Sequence, residues 1–195
     1  MPHLLSLHGP ELAPYIDRLG QLRIAVFREY PYLYEGTLES EREYLKTYLD
    51  SPRSLVVLAL EGEDVVGATT CVPMADEGPE FQEAFVKAGY DIGSICYLGE
   101  SILLPEYRGH GLGKEFFQRR GAHAQGLGFK ITTFCAVDRP NDDPRRPAGY
   151  RPLDGLWNGQ GYVKHAELQA TFEWKELDEA APSGKTLTFW LKHWS

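Results

Sequence analysis

Three alternate glycines, in Gly109-His110-Gly111-Leu112-Gly113, stand between a stretch of strand character and one of helix character. Glycines at that spacing let the backbone approach a ligand closely and take up positive φ angles. The helix that starts after them presents unpaired N–H groups and the positive end of its dipole. Together these features make a cradle for a pyrophosphate, although a plain glycine-rich turn uses the same residues. Basic side chains gather alongside: Arg108, His110, Lys114, Arg119 and Arg120 fall within thirteen residues, against Glu106 and Glu115. Either a local anion site or a solvated helix face uses charge in this way.

Spacing separates the phosphate binders. A P-loop needs GxxxxGK followed by Ser or Thr, but Arg108 stands at the first glycine position and Glu115 follows Lys114. A dinucleotide fingerprint needs GxGxxG. Counting from Gly109 its third position is Lys114, and from Gly111 it is Phe116, so that pattern fails too. What remains is Arg-x-x-Gly-x-Gly, carried by Arg108, Gly111 and Gly113 after a strand ending Leu103-Leu104-Pro105. From Ile102 to Gly113 the sequence resembles the acetyl-CoA motif of the GCN5-related N-acetyltransferase (GNAT) family. The stretch Leu156-Trp157-Asn158-Gly159-Gln160-Gly161-Tyr162 is similar to that family's Leu-Tyr-x-x-x-Gly-Phe signature.

The resemblance implies an α/β fold of the acyl-CoA N-acyltransferase type. Its mixed, mostly antiparallel sheet is splayed at the central strands and flanked by helices, as one domain over residues 1–195. It implies acetyl-CoA as co-substrate, with no metal. Carried over residue by residue, the backbone of Ile102, Leu103 and Leu104 would bond the pantetheine arm. The amides of Gly109, His110, Gly111, Leu112, Gly113 and Lys114 would hold the pyrophosphate, with Arg108 shaping the loop.

Acetyl transfer to an amine needs a neutral nucleophile, and a simple alkylamine has a pKa of about 10.4. A general base answers that need. Glu100 is the candidate, because strand alternation puts it on the face of Leu98, Ile102 and Leu104, where desolvation raises a carboxyl pKa. The other reading is a glutamate at a bulge or sheet edge paired with an arginine. Many family members protonate the departing thiolate with the tyrosine of the second signature. Here that position is Trp157, which cannot supply such a proton. Tyr150 becomes the substitute candidate; Tyr162 fits the core position of the signature's phenylalanine.

The acceptor side falls to the loop Glu29-Tyr30-Pro31-Tyr32-Leu33-Tyr34-Glu35-Gly36 between the first two helices. Tyr30, Tyr32 and Tyr34 with two carboxylates suit a cationic amine, although loop tyrosines also simply cover a core. A second polar loop, Asp138 to Arg146, either closes over the acceptor or makes a surface excursion. The reading is therefore N-acetyl transfer to a small-molecule or peptide primary amine by direct attack in a ternary complex. The runner-up is a GNAT-like module that holds acyl-CoA without turnover, as a sensor or partner subunit.

These groups need elements to position them. Ile16, Leu19, Leu22 and Val26 predict a helix from Pro14 to about Tyr30, and Thr37 to Leu49 a second. Ser54–Leu60 and Val65–Val72 read as a hairpin. Glu80–Ala88 reads as helix, Tyr97–Leu104 as an unbroken strand, Gly111–Gly126 as helix and Lys130–Val137 as strand. A short helix over Pro152–Trp157 and two antiparallel strands, Tyr162–Trp174 and Thr186–Trp194, close the chain. The last of these could also pair across a homodimer. The chain's 195 residues suffice for one sizeable core. A net charge of −8 argues against nucleic acid and anionic membrane as partners. No apolar run of about 18 residues predicts a membrane span, and Met1 to Glu11 lacks signal-peptide character. Cys71, Cys96 and Cys135 form no CxxC pair and read as buried thiols in a cytoplasmic protein.

Overall fold

The computed structural model describes residues 2–194. β1 (His3–Leu7) leads through a 3-10 segment (Gly9–Tyr15) into α1 (Ile16–Phe27), and α2 (Leu38–Asp50) follows. Pro14 lies inside the 3-10 segment, so α1 opens two residues later than its proline suggests. Thr37 caps α2 by accepting the Ser40 N–H at 3.2 Å. Next come the hairpin β2 (Leu55–Glu61) and β3 (Asp64–Pro73), then α3 (Pro79–Lys87), β4 (Ile95–Tyr97) and β5 (Ser101–Leu103). α4 (Leu112–Gly126), β6 (Ile131–Val137), α5 (Asp154–Gly159), β7 (Val163–Trp174) and β8 (Ser183–His193) complete the order.

The strands form one mixed sheet in the order β1-β2-β3-β4-β6-β8-β7, with β5 also paired to β3. Only β4 with β6 is parallel among these pairs. Both faces are covered, which is why β2 reads as the continuous apolar run Leu55-Val56-Val57-Leu58-Ala59. Val56 and Leu58 join a core with Leu19, Leu22 and Leu45 of α1 and α2 and Phe81 and Phe85 of α3. Leu55, Val57 and Ala59 point the other way, into a core with Phe116 and Phe117 of α4.

The strand expected to run unbroken from Tyr97 to Leu104 is interrupted. Val72 faces Tyr97 and Thr69 faces Ser101, so three steps along β3 are matched by four on its partner. The extra residue is a β-bulge at Leu98-Gly99-Glu100. A one-residue slip reverses the facing of every later residue on the strand. Leu98 lies in the α4 core, whereas Ile102 lies in the α1–α2 core. Glu100 goes with Ile102, bonded to Arg23 of α1. The shared face with Leu98 expected from simple alternation is thus corrected.

Gly99 is the only residue type the bulge accommodates. A Cβ there would lie 1.9 Å from Tyr48 Oη and 2.6 Å from Thr70 Oγ1. Gly99→Ala is expected to lose ~2 kcal/mol of stability, read by chemical denaturation, because both neighbours are fixed by packing. A stability equal to the parent's would mean that the bulge relaxes freely.

The bulge also opens the sheet. β4 stays with β6 up to Tyr97↔Thr133, and the Leu98 N–H makes a last link to the Thr133 carbonyl at 2.7 Å. Beyond it β5 follows β3 while β6 continues along β8, and the two diverge.

Candidate functional site

β5 presents a free edge to this gap. Thr70 N–H donates to the Glu100 carbonyl (3.1 Å) and Leu104 N–H to the Val66 carbonyl (3.0 Å). Antiparallel alternation then commits Glu100, Ile102 and Leu104 to β3 and turns the backbone of Ser101 and Leu103 toward the opening. Of the three residues expected to offer their backbone to a pantetheine arm, Ile102 and Leu104 are turned to β3 instead, and only Leu103 turns toward the opening. The Leu103 carbonyl accepts from Arg108 Nε at 2.9 Å, and Arg108 Nη1 reaches Glu29 just beyond α1 at 2.9 Å. That arginine ties the glycine loop to both the strand and the first helix.

The loop itself has the left-handed turns its glycines permit. Gly109 and Gly111 have φ of +82° and +87°, and Gly111 is the N-cap of α4. Among the described residues nothing takes the N–H groups of Gly109, His110, Gly111, Leu112 and Gly113. The Lys114 N–H bonds back to the Gly111 carbonyl at 3.0 Å, so the row of open donors ends one residue earlier than the sequence predicts. A Cβ placed on Gly109, Gly111 or Gly113 would meet nothing within 4 Å. Five open donors at the N-terminus of a fifteen-residue helix fit a diphosphate. Two of the five basic residues noted in the sequence leave this cradle. Arg119 bonds Glu115 (2.8 Å) and Ser6 (3.3 Å). Arg120 is 2 % exposed and lies under the bulge, its Nη1 donating to the Glu100 carbonyl at 3.2 Å.

At the bulge, where the gap begins, Glu100 is 4 % exposed. Its Oε2 accepts from Arg23 Nη1 and from Tyr44 Oη (3.3 Å), while Oε1 has no partner among the described residues. Arg23 Nε is bonded to Glu41 of α2. Close helix contact makes this possible: a Cβ on Gly20 of α1 would lie 3.1 Å from the Glu41 Cβ. Burial pushes the Glu100 carboxyl above the usual range, and the Arg23 guanidinium holds back part of the rise. The reading of a bulge glutamate paired with an arginine is what the structure shows, and the second oxygen is buried without a partner among the described residues. Sequence reasoning missed Arg23. Its signal is a charge at the fourth residue from Leu19 and next to Leu22, on the apolar face of α1.

The acceptor candidates are distributed unevenly. The Tyr30 ring meets Tyr150 edge-on at 4.7 Å, and Tyr32 lies 4.8 Å from Phe27 and 6.0 Å from Trp174. Tyr34 turns its hydroxyl to Ser40 at the start of α2, at 3.2 Å. The polar loop after β6 is fastened across this region. Arg139 donates to the Pro31 carbonyl (2.7 Å) and the Tyr32 carbonyl (3.3 Å). Arg139 and Arg145 both bond Glu176, which is 2 % exposed. Asp143 accepts from the Arg145 guanidinium and backbone, and these bonds hold its carboxyl down at about 2. Tyr150 is carried by this loop, half-buried, with Arg146 5.3 Å from its ring centre.

The second signature is packing. Trp157 sits edge-on to Phe134 (5.1 Å) and Trp190 (5.0 Å). Tyr162 is 2 % exposed, with its hydroxyl 2.8 Å from Thr132 Oγ1. Its ring lies between Phe117 and Phe134 in the α4 core.

Residues 21–146 match the family model described as the acetyltransferase (GNAT) family. No curated protein matches the sequence. Among solved structures, the chain is similar to a ribosomal-protein-alanine N-acetyltransferase from Brucella melitensis. The identity is 15 %, covering 97 % of this chain and 99 % of that one, with a TM-score of 0.61. An acetyltransferase from Thermus thermophilus is 19 % identical over 100 % of both chains, with a TM-score of 0.56. The polyamine N-acetyltransferase of Drosophila melanogaster is 14 % identical over 98 % of this chain and 100 % of that one, with a TM-score of 0.58. At these identities the likeness is one of fold.

Proposed function

The chain belongs to the acetyltransferase (GNAT) family, and from that premise we propose that it transfers an acetyl group from acetyl-CoA to a primary amine by direct attack in a ternary complex. One observation carries the reading. Among the described residues, the open N–H groups from Gly109 to Gly113 follow closely in sequence on the outward edge of β5, and Glu100, at the bulge before β5, has a buried Oε1 without a partner. The first suits a diphosphate, the second an extended amide chain, and the third a proton on an amine.

In this reading the donors from Gly109 to Gly113 hold the pyrophosphate, and Ser101 and Leu103 align the pantetheine arm. Bound there, acetyl-CoA supplies an activated thioester carbonyl. Glu100 takes the proton of the acceptor amine at Oε1 while Arg23 is bonded to the other oxygen. Cys135 of β6 favours direct attack over an acyl-enzyme. Its thiol is pushed up to about 12 by burial, so little thiolate forms. Tyr30, Tyr32 and Tyr34 wall the acceptor, and Tyr150, edge-on to Tyr30, is the candidate proton donor to the departing thiolate. Small amines and peptide amines both suit such a wall.

A thiol-release assay with acetyl-CoA and a panel of amines, run beside CoA titration calorimetry, tests this. Amine-dependent release is expected. Trp157, packed against the α4 core where the family signature has a tyrosine, favours the second reading of a non-catalytic acyl-CoA holder. Tight CoA binding that no amine converts to release would establish that alternative and sink the first.

A further inference from the structure

We propose that Tyr44, Tyr48 and Glu77 form a proton relay that carries the proton taken up by Glu100 away from the acetyl-transfer site. The proposal rests on the acetyl-transfer reading above. Its basis is an unbroken file of oxygens through the interior. Tyr44 Oη lies 3.3 Å from Glu100 Oε2, Tyr48 Oη 3.0 Å from Tyr44 Oη, and Glu77 Oε1 3.5 Å from Tyr48 Oη. The two tyrosines are one turn apart on α2, so i,i+4 spacing stacks their hydroxyls in line. Tyr48 is 0 % exposed and Glu77 is 7 % exposed, beyond the end of β3 and next to the start of α3. Nothing in the direct-attack chemistry explains a second buried carboxyl at the far end of this file.

Transfer of acetyl to an ammonium with release of a thiol leaves one proton over. The nitrogen loses two protons: one goes to the departing sulfur, and the other passes to Glu100 Oε1, from where a half-turn of the carboxyl group, with Arg23 held meanwhile by Glu41, brings it to the Tyr44 side. Glu100 then protonates the Tyr44 oxygen as Tyr44 gives its hydroxyl proton to Tyr48 and Tyr48 gives its own to Glu77. Glu100 ends as a carboxylate, both phenols end neutral, and Glu77 carries the proton to water. Burial pushes both phenols well above their usual range, which keeps each protonated and able to pass a proton on. Burial, then the Glu100 charge, raises Glu77 to about 8. The groups facing Glu77 are Tyr44 and Tyr48 of α2, Glu80 of α3, Tyr97 of β4, Glu100 at the bulge, and Cys135 of β6.

The test compares the full-length protein with Tyr48→Phe and Glu77→Gln, each of which preserves shape. Turnover is expected to fall ~10-fold in either, with CoA affinity unchanged. The ratio of unsubstituted to Glu77→Gln rate should rise with pH through a midpoint of about 8, because Glu77 accepts only when ionised. The acceptor's own ionisation is common to both proteins and cancels. A second readout needs no turnover: infrared titration of the free protein should show a protonated carboxyl band that persists to about 8. That band should vanish in Glu77→Gln and shift in Tyr48→Phe. An active protein whose variants keep its rate and pH profile overturns the relay alone, as does a Glu77 band that titrates in the ordinary carboxyl range. Absence of turnover in the unsubstituted protein overturns the acetyl-transfer reading and the relay with it.

Discussion

Gly111→Glu is expected to weaken CoA binding by ~100-fold or more, about 2.7 kcal/mol, while the protein stays folded. Three effects act together. Gly111 has a φ of +87°, which a side chain strains by about 1 kcal/mol. The new carboxylate stands at the N-cap of α4, where it competes for the same N–H groups that the pyrophosphate needs. Its charge also repels the ligand. The fold should tolerate it, since a Cβ at Gly111 meets nothing within 4 Å and an acid at a helix start is favourable. Gly111→Ala separates strain from charge and should cost only a few-fold in affinity. Calorimetric titration with CoA reads both variants. A folded Gly111→Glu protein with undiminished affinity would remove the cradle from these residues.

Glu100→Gln comes second, with turnover expected to fall ~100-fold and CoA affinity kept. The amide keeps the shape, and Arg23 retains Glu41 as its other partner. The deficit should narrow as the pH approaches the amine's own value of about 10.4, where a base is no longer needed. A deficit equal at every pH would make Glu100 structural, and no deficit would remove it as the base. Stability should respond with a definite sign. Burial holds the folded Glu100 carboxyl above its usual pKa, with Arg23 moderating the rise. As pH climbs, the unfolded chain ionises first, so the folded protein loses stability until Glu100 itself ionises. Glu100→Gln should lack that loss and show a flatter stability–pH curve in denaturant titrations.

Local patterns were readable along most of the chain. The α1, α2 and α4 segments, the β2–β3 hairpin and the two long closing strands follow apolar periodicity and turn residues, and their observed bounds differ by a few residues. Long-range features were not readable in this way. The break between β4 and β5 depends on how many β3 residues lie opposite, which no local pattern reports. Arg120 reads as a surface charge in a basic cluster, yet it is buried because α4 lies across the bulge carbonyls. Ser101 gave no chemical signal at all; it faces the gap only because pairing with β3 alternates.

The glycine spacing after the central strand decides the class of ligand, because a helix N-terminus and two positive-φ glycines are set within six consecutive residues. Tertiary contacts decide the surroundings of Glu100. A one-residue bulge turns Glu100 under α1 and α2, and packing of those helices places Arg23 on one oxygen and leaves the other buried without a partner among the described residues. The same packing sets Tyr44, Tyr48 and Glu77 in line behind it, from parts of the chain up to 56 residues away. Burial and charge at such distances in sequence are properties of the folded surfaces that meet, not of the segments that supply them.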